Sequence, residues 1–112
     1  MSVEAKVYQL DSTTPGAGVD EDVFQVGANK EFQFKLIISN RSTTPAMVRI
    51  YLSTAGKAGL LAKENIAYDV QIDQDNPKTY EDLILNSTIS YLTVRASTVN
   101  VSFNAVGLER DV

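Results

Sequence analysis

Apolar side chains recur at every second position through most of this chain, and that period is the strongest constraint on its fold. In "EFQFKLIIS", Phe32, Phe34, Leu36 and Ile38 share one face, while Glu31, Gln33 and Lys35 share the other. Successive side chains of a strand point to opposite sides. The stretch therefore reads as a strand with one buried and one wet face, as in an antiparallel sheet packed on a single side. A helix would need its apolar positions three and four apart. "MVRIYLS" repeats the alternation, with Val48, Ile50 and Leu52 inward and Met47, Arg49 and Tyr51 outward. "IAYDVQID" sets Ile66, Tyr68, Val70 and Ile72 together.

The runs are separated by turn formers. "VEAKVY" alternates Val3, Ala5 and Val7, and is followed by Thr13 to Asp22, where Pro15 fixes its own φ and Gly16 and Gly18 admit unusual ones. "DVFQV" is a short apolar piece. The loop Asn40 to Ala46 joins two strands close in sequence, for which an antiparallel pair is the default. "TAGKAGLLAKEN" reads as a loop with room for one short helix, limited by Gly56 and Gly59. "QDNP" is a turn, and "TYEDLILN" a strand whose "YEDL" also suits one helical turn. At the C-terminal end Leu92, Val94 and Ala96 share one parity, and Val99, Val101, Phe103 and Ala105 the other. A tight hairpin with Ala96 facing Val99 keeps both sets on one face. A two-residue loop at Ser97-Thr98 and a four-residue loop of neighbouring register both satisfy it.

Seven or eight strands with regular turn signals predict an all-β chain. The expected fold is an antiparallel β-sandwich, or a jelly-roll-like arrangement, with at most one short helix. The length of 112 residues predicts a single domain, residues 1–22 forming an N-terminal strand and arm and 23–112 the sandwich core.

Composition removes much chemistry. The chain has no Cys, His or Trp. Thiolate nucleophiles, disulfides, thiolate metal sites and serine–histidine or cysteine–histidine catalysis are therefore excluded within it. The net charge of −4 opposes nucleic acid, and the Lys and Arg residues are scattered singly rather than in a stripe. No apolar run approaches a membrane span, and "MSVEAKVYQL" lacks the basic and apolar blocks of a secretion signal, so neither a membrane partner nor secretion is expected.

The remaining candidates are weak. The acid clusters Asp20 to Asp22 and Asp73 to Asn76 lack the Gly and following Glu of a calcium loop and read as solvated acids. Asp69 shows no second carboxylate at glycosidase spacing. Tyr8, Tyr51, Tyr68, Tyr80 and Tyr91 are spread over five segments, with Tyr51 and Tyr91 on the outward parity, where rings serve an interface or stack on a sugar. Asn40 and Asn86 match a glycosylation pattern that means nothing without secretion.

Several stretches, in order, are "VFQVGANKEFQFKLIISNRSTTPAMVRIYLS", "ENIAYDVQID" and "LILNSTISYLTVRASTVNVSFNAVGLE". From Val23 to Glu109 the chain resembles a family of small β-rich virion structural proteins of tailed bacteriophages, common among cyanophages. The resemblance implies a non-enzymatic component exposed on the particle, in multiple copies, without catalytic residues or cofactors. The resulting expectation is a capsid decoration or cement protein assembled in the host cytoplasm. Its partners would be the major capsid protein or tail and neck proteins, and copies of itself, a trimer being favoured. A neck, tail or fibre component and a carbohydrate-binding module for host recognition are the alternatives. The expected contact residues are Arg41, Thr44, Pro45 and Met47 around the first loop, Lys57 and Leu60 in the second, and outward Tyr51 and Tyr91, together with the arm Ser2 to Gly18.

Parity makes a direct prediction. Phe34→Ala and Phe103→Ala should each cost about 3–5 kcal/mol in chemical denaturation, since each removes a buried ring and leaves a cavity. Gln33→Ala and Asn104→Ala should each cost less than about 1 kcal/mol.

Overall fold

The computed structural model describes the backbone of residues 5–112 and the side chains of residues 14–112. Val3 lies outside the described residues, as do the side chains of Ala5, Val7 and Tyr8. The chain forms eight strands: β1 (Ala5–Thr13), β2 (Glu21–Gln25), β3 (Lys30–Asn40), β4 (Ala46–Ser53), β5 (Asn65–Ile72), β6 (Lys78–Leu85), β7 (Tyr91–Ala96) and β8 (Val101–Asp111). They make two four-stranded antiparallel sheets, ordered β1-β8-β3-β6 and β2-β7-β4-β5. Every connection except β4–β5 passes from one sheet to the other, which is the winding of an eight-stranded jelly roll. Helical structure among the described residues is confined to the 3₁₀ turns Gly56–Ala58 and Ala62–Glu64.

The alternation read in the sequence becomes the core. Phe32, Phe34, Leu36 and Ile38 of β3 and Val101, Phe103 and Ala105 of β8 face Val48 and Ile50 of β4 and Leu92, Val94 and Ala96 of β7, all buried. Phe32 stacks on Phe34 at 4.9 Å between centroids and meets Phe24 of β2 at 5.4 Å, tying the two sheets together through aromatic contact.

The expected hairpins do not form. β3 and β4 lie in different sheets, and so do β7 and β8. A buried face in one sheet and a buried face in the other satisfy an alternating pattern as well as two neighbours in one sheet do. The phase slip after Ala96 thus marks a crossover, not a hairpin. The loop after β3 is held to the crossing by Asn40. Its Nδ2 donates to the carbonyls of Thr44 (2.8 Å) and of Ile72 in the opposite sheet (2.9 Å), and its Oδ1 accepts from the Ser42 amide and hydroxyl.

The inner ladders are unbroken. β3 pairs with β8 from Lys30↔Asp111 to Asn40↔Val101, and β4 with β7 from Val48↔Ala96 to Ser53↔Tyr91. All four edge strands, by contrast, carry a register shift: β1 between Gln9 and Ser12, β2 between Asp22 and Phe24, β5 around Tyr68-Asp69 and again at Ile66, and β6 around Glu81-Asp82. Asp69 and Asp82 adopt positive φ (54° and 57°) at the bulges, a conformation Asp tolerates better than most residues. The second bulge explains why "YEDL" reads as a helical turn yet lies in a strand.

These bulges also correct the parity of β5. The extra residues turn Ile66 and Tyr68 out, so Ala67, Val70 and Ile72 face inward and Tyr68 is 54% exposed. Bulged edges present a broken row of amides and carbonyls, which discourages strand addition by another chain.

β8 runs close to β3 at Gly107, which lies opposite Phe34. A Cβ there would sit 2.0 Å from the Gln33 carbonyl oxygen and 2.5 Å from Phe34 Cα. Gly107→Ala should therefore destabilise the fold by about 3 kcal/mol, read as a lowered denaturation midpoint, whereas Gly27→Ala, whose Cβ would only make ordinary contact with Lys30 Cδ at 3.7 Å, should be near neutral.

Candidate functional site

The connections sort onto two ends. Arg41 N donates to Asn100 O, Ser97 N to Met47 O and Gly18 N to Ala96 O, which gathers the β1–β2, β3–β4, β5–β6 and β7–β8 connections at one end. Val26 N donates to Ser90 O, and Ser53 pairs with Tyr91, which gathers β2–β3, β4–β5 and β6–β7 at the other. Arg41, Thr44 and Pro45 are exposed at the first end beside Met47, while Lys57 is exposed and Leu60 half-buried at the second. The fold thus separates these expected contact residues into two groups rather than joining them.

Tyr51 is buried, against its outward reading, with 7% of its surface exposed. It lies opposite Thr93 on the outer face of its sheet, where the β4–β5 loop folds back over the strands. Lys57 N and the Thr93 hydroxyl donate to Asp22 Oδ1 (2.9 and 2.7 Å), and Gly56 N donates to Ser53 Oγ (2.9 Å). Gly56 has φ 66°, and a side chain there would meet the Tyr91 ring at 2.8 Å. Tyr91 is half-buried under this loop. Neither ring is a free platform for a sugar.

Beyond this loop, between the free edges of the two sheets, lies an apolar groove of about 510 Å³. Leu52 of β4 forms its floor as an inward residue the edges leave partly uncovered. Ile66 of β5, Ile84 of β6 and Ile89 of the β6–β7 loop line it at 40–46% exposure, and Lys63 and Thr88 complete the rim. Ile66 is there because it is the unpaired residue of the β5 shift between Ile50 and Tyr51. The rim is ordered by Glu64. Its carboxylate accepts from the amides of Leu61 (2.9 Å) and Thr54 (3.0 Å) and from the Thr54 hydroxyl (3.3 Å). Desolvation pushes this carboxyl up, but the three donors outweigh it and hold Glu64 below its ordinary pKa.

A second, polar notch of about 230 Å³ lies on the outer face of the β2-β7-β4-β5 sheet, between Gly18, Met47, Arg49, Asp69, Arg95 and Ser97. Arg49 clamps Asp69 (2.8 and 3.3 Å) and stacks over the exposed Tyr68 ring at 4.1 Å. The Arg49 hydrogen bond is the main cause holding the Asp69 carboxyl below its usual range, the reverse of the raised pKa a glycosidase acid needs. Asp22 is engaged by Thr93 and Lys57, and among the described residues no group of three or more acids could hold a metal ion.

No protein-family model matches the chain, and no curated protein matches it either. Among solved structures it is similar to a protein of Bacillus endospore appendages, a family of disulfide-linked pili. The TM-score is 0.64 at 9% identity, over 99% of this chain and 89% of that one. It is also similar to capsid chains of infectious bursal disease virus: the T13 viral particle (TM-score 0.48, 11% identity) and the VP2 subviral particle (TM-score 0.46, 13%). It covers only 31% and 32% of those viral chains. The likeness to the endospore appendage protein shows a shared fold and nothing beyond it. The linkage of the pili has no counterpart here, since this chain has no Cys.

The groove escapes a sequence reading because Leu52, Ile66, Ile84 and Ile89 come from four segments, and alternation alone counts Leu52 and Ile66 as core. The available signal was the loop residue Ile89, an apolar side chain among Asn, Ser and Thr with no strand phase to explain it.

The Glu64 carboxylate gives a pH dependence. Its folded pKa is depressed, so its hold on the loop is complete at neutral pH and is lost as pH falls through the depressed value. Amide exchange of Thr54 and Leu61, followed by NMR, should accelerate as pH is lowered through and below the ordinary glutamate range, after correction for intrinsic rates. In Glu64→Ala both amides should already exchange fast at pH 7.

Proposed function

We propose that this protein is a non-catalytic structural component of a phage particle, seated on the capsid exterior in many copies. The observation that carries the reading is the apolar groove. Three exposed isoleucines over a partly uncovered Leu52, at a rim pinned by Glu64, suit the burial of another protein's side chains. The sequence resemblance from Val23 to Glu109 supplies the kind of assembly. The bulged edges fit a part that must meet its partners through ends and faces without pairing its sheets with theirs.

A carbohydrate-binding role is the second reading, and it moves from Tyr51 and Tyr91 to Tyr68, which is exposed beside Arg49 and the polar notch. Glycan binding lost on Tyr68→Ala and kept on Ile84→Asp would favour it.

The test of the first reading is the copy number in purified particles, measured by quantitative mass spectrometry against the major capsid protein. Hundreds of copies per particle are expected of a decoration protein. Three, six or twelve copies would place the protein in the neck or tail. Its absence from intact particles would overturn the reading.

A further inference from the structure

We infer that the polar notch on the outer face of the β2-β7-β4-β5 sheet binds one acidic sugar residue, its carboxylate taken by Arg95 and its hydroxyls by Asp69 and Ser97. This rests on the carbohydrate-binding reading above and names the class of glycan. The starting point is a pairing that costs stability. Arg49 of β4 and Arg95 of β7 stand directly opposite each other in the ladder, where like charges repel. One carboxylate serves the pair, and Arg49 takes it: Asp69 accepts from Arg49 Nε and Nη2 at 2.8 and 3.3 Å. Arg95, half-buried, donates to no described residue, and no described carboxylate lies within ion-pair distance of it. The acids at the neighbouring edge do not answer it. Asp22 is held by Lys57 and Thr93, and neither Asp20 nor Glu21 pairs with Arg95.

The notch, of about 230 Å³, therefore offers a forked cation with its donors open and, beside it, a carboxylate with room for more. The Asp69 side chain is 50% exposed, and of its roughly four acceptor positions Arg49 uses two. The Ser97 hydroxyl accepts from the Met47 amide at 2.8 Å and keeps its own hydrogen to donate. A Cβ at Gly18 would stand 3.5 Å from Arg95 Nη2, so the glycine leaves that flank of the guanidinium bare. The Asp69 carboxyl is lowered chiefly by the Arg49 hydrogen bond and further by the charge of Arg95, which is thus close to it without bonding to it.

These three groups select the ligand. A carboxylate matches the planar fork of Arg95 through two parallel hydrogen bonds. A ligand that is only an acid, such as sulfate or an acidic side chain of another protein, would face the Asp69 carboxylate with no donor for it. A neutral sugar would satisfy Asp69 and leave Arg95 open. A uronic acid residue carries the carboxylate and the donor hydroxyls on one saturated ring, and so answers both. Tyr68, 54% exposed with Arg49 over its ring at 4.1 Å, and Met47, 41% exposed, extend the surface for the apolar faces of adjoining sugars.

Isothermal titration of the full chain with tetragalacturonate, tetraglucuronate and tetramannuronate should give, for at least one of them, saturable binding with a Kd of about 1 mM or below. The methyl ester of that oligomer should bind at least tenfold more weakly, as should a tetraglutamate peptide and inorganic sulfate. Arg95→Gln should lose at least tenfold toward the oligomer, and Arg95→Lys, a point charge without the fork, should recover only part of it. Lys35→Gln, exposed on the other sheet, should change nothing. Because Arg95→Gln also removes the repulsion with Arg49, its melting temperature should equal or exceed that of the wild type, whereas loss of a merely structural residue would lower it. No binding of any of the three uronates at about 10 mM, equal binding of the ester or the peptide, or undiminished binding by Arg95→Gln would overturn the inference. Binding of the esters that is lost on Tyr68→Ala would keep the carbohydrate reading without its acidic class; no binding of any sugar would remove both.

Discussion

Two uninterrupted ladders, β3 against β8 and β4 against β7, set everything else in this molecule. They place Phe32, Phe34, Leu36 and Phe103 over Ile50, Leu92 and Val94, a dry layer from which water is excluded. Burial of these side chains is the dominant favourable contribution, and it needs both sheets at once, since either alone would leave one apolar face in water. Close approach is part of the same constraint: Gly107 lets β8 lie against the backbone of β3 where any side chain would collide.

Away from those ladders the structure loosens in a directed way. Bulges at Asp69 and Asp82 twist the two free edges on one side, and the core between them is left partly uncovered at Leu52. The same distortion that protects the edges therefore opens the groove. Polar side chains fix the loops: Asn40 pins one end, while Glu64, Asp22 and Ser53 pin the other. The carboxyls of Glu64 and Asp69 are both held below their ordinary range, Glu64 by donors that outweigh its desolvation and Asp69 by the Arg49 hydrogen bond, which ties each to the loop or strand beside it.

How far the site was legible depends on the residue. Met47 was readable as exposed because it precedes a clean alternation through Val48 and Ile50. Tyr51 continues that alternation, yet is buried, because a loop beginning only a few residues later folds back over its face. Tyr68 fails in the opposite sense: a bulge with Asp69 at positive φ shifts the phase of β5 and puts the ring outside. Alternation counts residues and has no way to register an extra one that the partner strand does not match. The Arg49–Asp69 clamp spans two strands, and neither residue type nor spacing announces it.

The sequence by itself determined the class of the molecule: period-two runs between Gly, Pro and Asn turns admit strands with one buried face, and the absence of His and Cys removes the usual reactive groups. Only the tertiary structure decided which strands are neighbours. A buried face is satisfied equally by a partner beside it or a sheet across from it, so β3 with β4 and β7 with β8 read as hairpins in the sequence and cross between sheets in the fold. That choice, settled by how the faces pack and by a buried Asn40 reaching across to Ile72, gathers the loops into two unlike ends and places the groove at one of them.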